Sequence, residues 1–136
     1  MPLSNDAFLV AFLSADQAQR EGRLMDAVKG WKAIALEAPD SAQTWHKLGS
    51  VLFKLQHYDD AEACLRTALS LRPEVFWTNY SLATFLHQTG RWTEAEAPYR
   101  EAMRGWDHPA LRTDLGLLLM GLGQYDEGFA LYESRW

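Results

Sequence analysis

Apolar side chains recur along the chain with the three-to-four-residue period of amphipathic helices, and period-two alternation never lasts long enough for a strand. Leu48, Gly49 and Leu52 share one stripe, and Ala61, Leu65 and Ala68 make a second that faces it after a short polar break. The pattern predicts eight antiparallel helices, at about 5–21, 24–37, 42–55, 58–71, 76–89, 92–105, 109–122 and 125–136. Gly22, Gly90 and Gly123 fall where a first helix must end and the chain reverse, a position that favours a residue tolerating positive φ. Asp59 and Thr93 follow such turns as expected N-caps. Pro73 stops the fourth helix, because its ring collides with the preceding turn. Pro98, near the first turn of the sixth, is expected to bend that helix rather than break it.

The helix pairs repeat. Trp45, Leu48, Gly49, Leu52, Ala61, Leu65, Ala68 and Pro73 form the skeleton of a helix–turn–helix unit of about 34 residues. Four registers follow, at about 8–41, 42–75, 76–108 and 109–136, within a single domain over 1–136. The third keeps Leu82, Ala83, Leu86, Gly90, Trp92, Ala95, Tyr99 and Ala102. The fourth keeps Leu115, Gly116, Leu119, Gly123, Tyr125 and Tyr132. The first is worn: Gly22, Leu24, Ala27, Trp31 and Pro39 hold, but Ser14 and Ala15 replace the usual Leu-Gly pair, as expected of a terminal unit with one face in water. Gly49 and Ala61 are small enough to let two backbones approach, while Trp45 and Leu65 fill the space beside them. A unit of this size cannot bury its apolar face alone, so the pairs must stack.

These residues resemble the tetratricopeptide repeat over nearly the whole chain. The resemblance implies an all-α fold, a right-handed α-solenoid of about four helix–turn–helix units whose first helices line a groove for a peptide or partner protein. Members of the family usually assemble other proteins and rarely catalyse. The closing segment, Gly123-Gln124-Tyr125-Asp126-Glu127-Gly128-Phe129-Ala130-Leu131-Tyr132-Glu133-Ser134-Arg135-Trp136, resembles the last repeat of bacterial arrays that precede glycosyltransferase-like domains, with Phe129 in place of the usual Trp. Phe129, Tyr132 and Trp136 share one stripe, and no polar capping helix follows them. Two readings stay open: the stripe packs back on the seventh helix, or it is an interface for an attached C-terminal domain or another copy of the chain.

The resemblance also implies which residues face the groove. The first helices would contribute Leu9, Phe12, Asp16, Gln19 and Arg20; then Gln43, His46, Ser50, Phe53 and Lys54; then Trp77, Tyr80, Thr84, His87 and Gln88; then Ala110, Thr113, Leu117, Met120 and Gly121. Aromatic bodies with hydroxyl, imidazole and amide tips suit peptide recognition. The Lys/Asn/Arg clamp of chaperone-binding members is incomplete, because Phe12, Asp16, Ser50 and Tyr80 stand at its positions; Lys47 and Lys54 could still attract an acid group. The asparagine ladder of the O-linked N-acetylglucosamine transferase superhelix is missing too, its places holding Leu13, Lys47, Ser81 and Asp114. Trp31, Trp45 and Trp92 are expected in packing roles, and Trp106 partly buried under the next unit.

Composition narrows the function further. The 136 residues carry a net charge of −5, so the basic footprint of a nucleic-acid binder is missing. No apolar run approaches the ~20 residues that cross a bilayer, and the N-terminus lacks the pattern of a secretory signal. Cys64 is the one cysteine, which suits a reducing, cytoplasmic setting and an inert thiol. His46, His57, His87 and His108 lack the spacing of a helix-borne metal site. Gly116, Gly121 and Gly123 lack the Lys-Ser/Thr of a phosphate loop. The acid pairs Asp59-Asp60 and Asp126-Glu127 open helices, where the dipole favours them. No metal, cofactor or catalytic group is expected. The reading is a non-catalytic scaffold that binds a protein or peptide, with Phe12, Arg20, His46, Ser50, Phe53, Lys54, Trp77, Tyr80, Thr84 and His87 at its groove. The alternative is an N-terminal accessory region of a larger glycosyltransferase-like enzyme.

Overall fold

A computed structural model describes residues 4–135. Among them, eight helices follow one another with no strand: α1 Asn5–Arg20, α2 Leu24–Glu37, α3 Ala42–Lys54, α4 Tyr58–Leu71, α5 Phe76–Gln88, α6 Trp92–Gly105, α7 Pro109–Gly121 and α8 Tyr125–Glu133. The first seven agree with the sequence periodicity to within one residue at each end. The chain forms two compact units, Met1–Arg72 and Pro73–Trp136. In the first, α1 packs on α2, α3 on α4, and α2 on α3; Trp31, Ile34, Val51 and Leu65 are fully buried. In the second, α5 packs on α6, α7 on α8, and α6 on α7, around Leu82, Leu86, Tyr99, Leu111, Leu115, Leu118 and Leu119.

Small residues recur at equivalent places in every helix pair, Ala15 and Ala27, Gly49 and Ala61, Ala83 and Ala95, and Gly116 and Gly128, and all eight are buried. The Gly49–Ala61 approach shows why: a Cβ on Gly49 would stand 3.2 Å from the Ala61 carbonyl oxygen and 3.0 Å from the Leu65 side chain. Each pair also turns in the same way. Gly22, Gly90 and Gly123 take φ of 78°, 83° and 85°, and in the second repeat Gln56 takes φ 63°. The next residue then donates its N–H back over the turn, from Arg23 to Ala18 (2.9 Å), His57 to Leu52 (2.9 Å), Arg91 to Leu86 (2.8 Å) and Gln124 to Leu119 (2.8 Å). These bonds satisfy carbonyls that the helix end would leave orphaned.

Two local expectations need correction. Asp59 and Thr93 are not N-caps: α4 and α6 begin one residue earlier, and their caps, His57 and Arg91, make no side-chain capping bond. Side-chain caps occur instead at Ser4, Ser41 and His108, which accept from the N–H groups of Ala7 (3.2 Å), Thr44 (3.4 Å) and Ala110 (3.1 Å). The tight glycine-type turn feeds the second helices directly, leaving no extended residue in which a capping side chain could fold back. Pro98 lies in the second turn of α6, and the helix runs on through it unbroken to Gly105.

Candidate functional site

In the first unit, the residues expected at a groove are held largely by contacts within the unit. Asp16 on α1 is mostly covered and bridges Arg20 one turn on (2.9 Å) and Lys47 on α3 (3.2 Å). Lys47, expected to attract a partner's acid, is thus engaged by Asp16, whereas Lys54 is exposed. The Phe12 ring meets Trp31 edge-on with centroids 4.8 Å apart, and the Trp31 indole donates to Gln19 Oε1 at 3.0 Å. Phe12 therefore joins a half-exposed extension of the core. Ser50 turns onto its own helix, its hydroxyl donating to the His46 carbonyl at 3.1 Å. Phe53 packs on Tyr58 with centroids 5.7 Å apart. Burial, reinforced by the charge of Lys47, pushes the His46 imidazole down to about 4.

The second unit assembles more. Seven rings make successive contacts: Trp77 to Phe76 (5.1 Å), Phe76 to Trp106 (5.2 Å), Trp106 to Tyr80 (6.0 Å), Tyr80 to Tyr99 (6.1 Å), Tyr99 to His87 (5.9 Å) and His87 to Trp92 (5.9 Å). All but the Phe76–Trp106 stack meet edge to face, the arrangement that sets the positive rim of one ring on the negative face of the next. Trp106 is half-buried, sandwiched between Phe76 and His108. Polar tips run along the same stripe. Tyr80 donates its hydroxyl hydrogen to Asp114 Oδ2 on α7. Tyr99 and His87 Nδ1 share a hydrogen bond at 3.1 Å. The Thr84 hydroxyl is buried beside the Tyr99 phenol without a hydrogen bond of ordinary geometry. Burial raises the Tyr99 phenol to about 12, with the Asp114 charge adding to the rise.

The structure thus draws Tyr80, Thr84 and His87 into one cluster, with Trp77 half exposed at its edge (49%). Their spacing by three and four along α5 signals the stripe in the sequence. Tyr99, Trp106 and Asp114 join it without being expected there, because they come from α6, its C-cap and α7. Trp92 is 41% exposed rather than enclosed: its indole N–H donates to the His87 carbonyl at 3.0 Å, and its ring lies against Gly121, where a Cβ would stand 2.8 Å away. Trp45 is half-buried and donates to the Pro39 carbonyl at 2.8 Å.

Two clefts in the first unit occupy equivalent places in successive repeats. One, of about 330 Å³, is lined by Trp45, Leu48, Leu52 and Cys64 with Ala35 and Leu36 over it; the other, of about 460 Å³, has Ala11, Ser14, Ala18 and Gly30 at the matching positions. Smaller side chains account for the larger space. Burial first, then the charge of Asp60, raises the Cys64 thiol to about 11, so it is a packing group rather than a nucleophile. Among the described residues, no cluster of three or more His, Cys, Asp and Glu is placed to hold a metal, and no helix is long and apolar enough to cross a membrane.

At the chain's end, Phe129 is 53% exposed, at the repeat position where Val28 of the first repeat is 6% exposed. Tyr132 is half-buried, its backbone against Gly116 and its ring under the Arg135 guanidinium at 3.7 Å. Trp136, the third member of that predicted stripe, lies outside the described residues.

The tetratricopeptide repeat family profile matches residues 46–109, the second and third helix pairs with their repeated turn. Residues 46–109 are tetratricopeptide repeat sequence. Solved structures with the same fold include MamA from Desulfovibrio magneticus RS-1, with a TM-score of 0.88 and 19% identity over 94% of this chain and 73% of that one. A thermophilic tetratricopeptide protein of Thermus thermophilus has a TM-score of 0.74 at 20% identity, covering 89% of this chain and 68% of that one. An O-GlcNAc transferase from Thermobaculum terrenum matches with a TM-score of 0.76 at 23% identity; the match covers 86% of this chain but 23% of the transferase. Among curated proteins no sequence matches. The fold class is therefore the all-α solenoid of helix pairs that the periodicity predicts.

Proposed function

We propose that this protein is a non-catalytic interaction scaffold that binds a peptide or partner protein along its first helices. The observation that carries the reading is the α5 stripe, where Trp77 is half exposed and Tyr80, Thr84 and His87 are neither sealed in the core nor fully in water. Large aromatic side chains fixed by neighbours offer contact area at little cost in conformational freedom, which is how a few residues come to dominate an interface. In the first unit, considered by itself, Phe12, Phe53, His46 and the exposed Arg20 and Lys54 offer similar chemistry, with the Ser50 hydroxyl satisfied by its own helix. Replacing Trp77 or Tyr80 by Ala should lower partner affinity by at least tenfold, about 1.4 kcal/mol. Unchanged affinity in both variants would remove the assignment.

A second reading is supported by the uncovered Phe129 and by the closing motif from Gly123: an accessory region that docks a catalytic domain, or a second copy, through α8. The genomic reading frame after Trp136 tests the first form, since an immediate stop codon removes it. Sedimentation at rising concentration tests the second, and a mass that stays monomeric removes that.

A further inference from the structure

Charge is distributed unusually on α5, which carries Trp77, Tyr80 and His87, and on α7, which supplies Asp114. α5 contains no Asp, Glu, Lys or Arg, and α7 contains only Arg112 and Asp114. Arg112 is committed elsewhere: it grips Asp107 with two bonds (2.6 and 2.7 Å) and donates to the Ser134 carbonyl at 2.7 Å. Among the described residues, no lysine or arginine pairs with Asp114; its protein partner is the Tyr80 hydroxyl on Oδ2. Burial first, then the bond to Asp114 and its charge, keeps the proton on the Tyr80 phenol well above the ordinary range. One hydroxyl uses a fraction of what a carboxylate can accept. Trp77, half exposed, stands one turn before Tyr80 on the same helix.

A partner covering this face meets a definite electrostatic demand. An apolar segment would bury Asp114 without a counter-ion, which is unfavourable when such a charge is left unpaired. An acidic segment would add like-charge repulsion. A cation removes the penalty and gains from the aromatic faces beside it. Resting on the reading of the first-helix face as the binding surface, we propose that Asp114, with Tyr80 and Trp77, is a recognition point for a lysine or arginine side chain of a partner polypeptide.

The test uses the intact chain, a random-peptide phage library and the variants Asp114→Asn and Trp77→Ala, with the folding of each variant checked by circular dichroism. Asn keeps an acceptor for the Tyr80 hydroxyl and removes only the charge. Selected peptides should carry Lys or Arg, and replacing that residue with Gln should weaken binding to the unaltered chain about tenfold but to Asp114→Asn hardly at all. Peptides that bind Asp114→Asn as tightly as the unaltered chain overturn the proposal. If those same peptides lose affinity with Trp77→Ala, the binding face stands and only the cation is wrong. If neither variant changes affinity, or no peptide is selected, both readings fall.

Discussion

Gly116 and Gly128 meet backbone to backbone where α7 crosses α8: a Cβ on either would stand 2.9 Å from the other's carbonyl oxygen. The equivalent positions of the three earlier helix pairs hold at least one alanine, so this last pair is the smallest of the four by side-chain size. A Cβ on Gly128 would also meet the Met120 Cγ at 2.7 Å, and turning that side chain away would still leave the main-chain obstacles, the Gly116 carbonyl oxygen and the Met120 nitrogen at 3.0 Å. Gly128→Ala should therefore destabilise the protein by about 1–3 kcal/mol despite the higher helix propensity of alanine. Urea unfolding followed by circular dichroism measures it. A variant as stable as the parent would mean that α8 can shift outward freely.

The turn after α3 offers the opposite experiment. Gln56 holds φ 63°, a conformation that the other three repeats assign to glycine. A left-handed conformation costs a residue bearing a Cβ about 1–2 kcal/mol, and glycine's extra freedom when unfolded returns part of that. Gln56→Gly should thus stabilise by about 0.5 kcal/mol, and Gly90→Gln should destabilise by about 1 kcal/mol. Equal and opposite midpoint shifts in urea are not required, but the signs are. Finding both of one sign would refute the turn argument.

How much of this could be read from the chain follows from where each feature originates. Helix bounds and the four turns arise from local periodicity and from glycine, so Gly22, Gly90 and Gly123 announce themselves. Gln56 does not, because only its place in the repeat marks it. The stripe of Tyr80, Thr84 and His87 is legible as spacing on one helix. Its completion by Asp114 is not, since that bond joins residues 34 positions apart on different repeats. Lys47 likewise looks available until its contact with Asp16, across 31 residues, is in view. Tertiary pairing, rather than periodicity, decides which polar groups remain for a partner.

A surface ion pair also joins distant segments. Arg100 on α6 grips both carboxylate oxygens of Glu127 on α8 (2.8 and 3.0 Å) while its Nε bonds Glu96 at 2.9 Å. Those bonds hold the Glu127 carboxyl below its ordinary range. The pair is exposed enough for water to compete, so Glu127→Gln should cost no more than about 1 kcal/mol. The loss should shrink as salt rises towards about 1 M, where screening acts over a few ångströms. A cost that persists undiminished at high salt would show that packing, not charge, is what Glu127 contributes.

His46 predicts how the first unit responds to acid. Burial and Lys47 lower its imidazole to about 4 in the folded chain, against about 6.5 when unfolded. Between those values the unfolded chain binds the extra proton and the folded chain does not, so stability rises with pH. Read downward, this contribution is complete above about pH 6.5 and is lost progressively as pH falls through the window to about 4, by at most about 3 kcal/mol. His46→Gln keeps a polar side chain of similar reach and removes the titration. Urea midpoints measured from pH 7 to pH 4 should fall more steeply for the parent chain than for the variant. Parallel slopes would place His46 in water and exclude it as the acid-sensitive group.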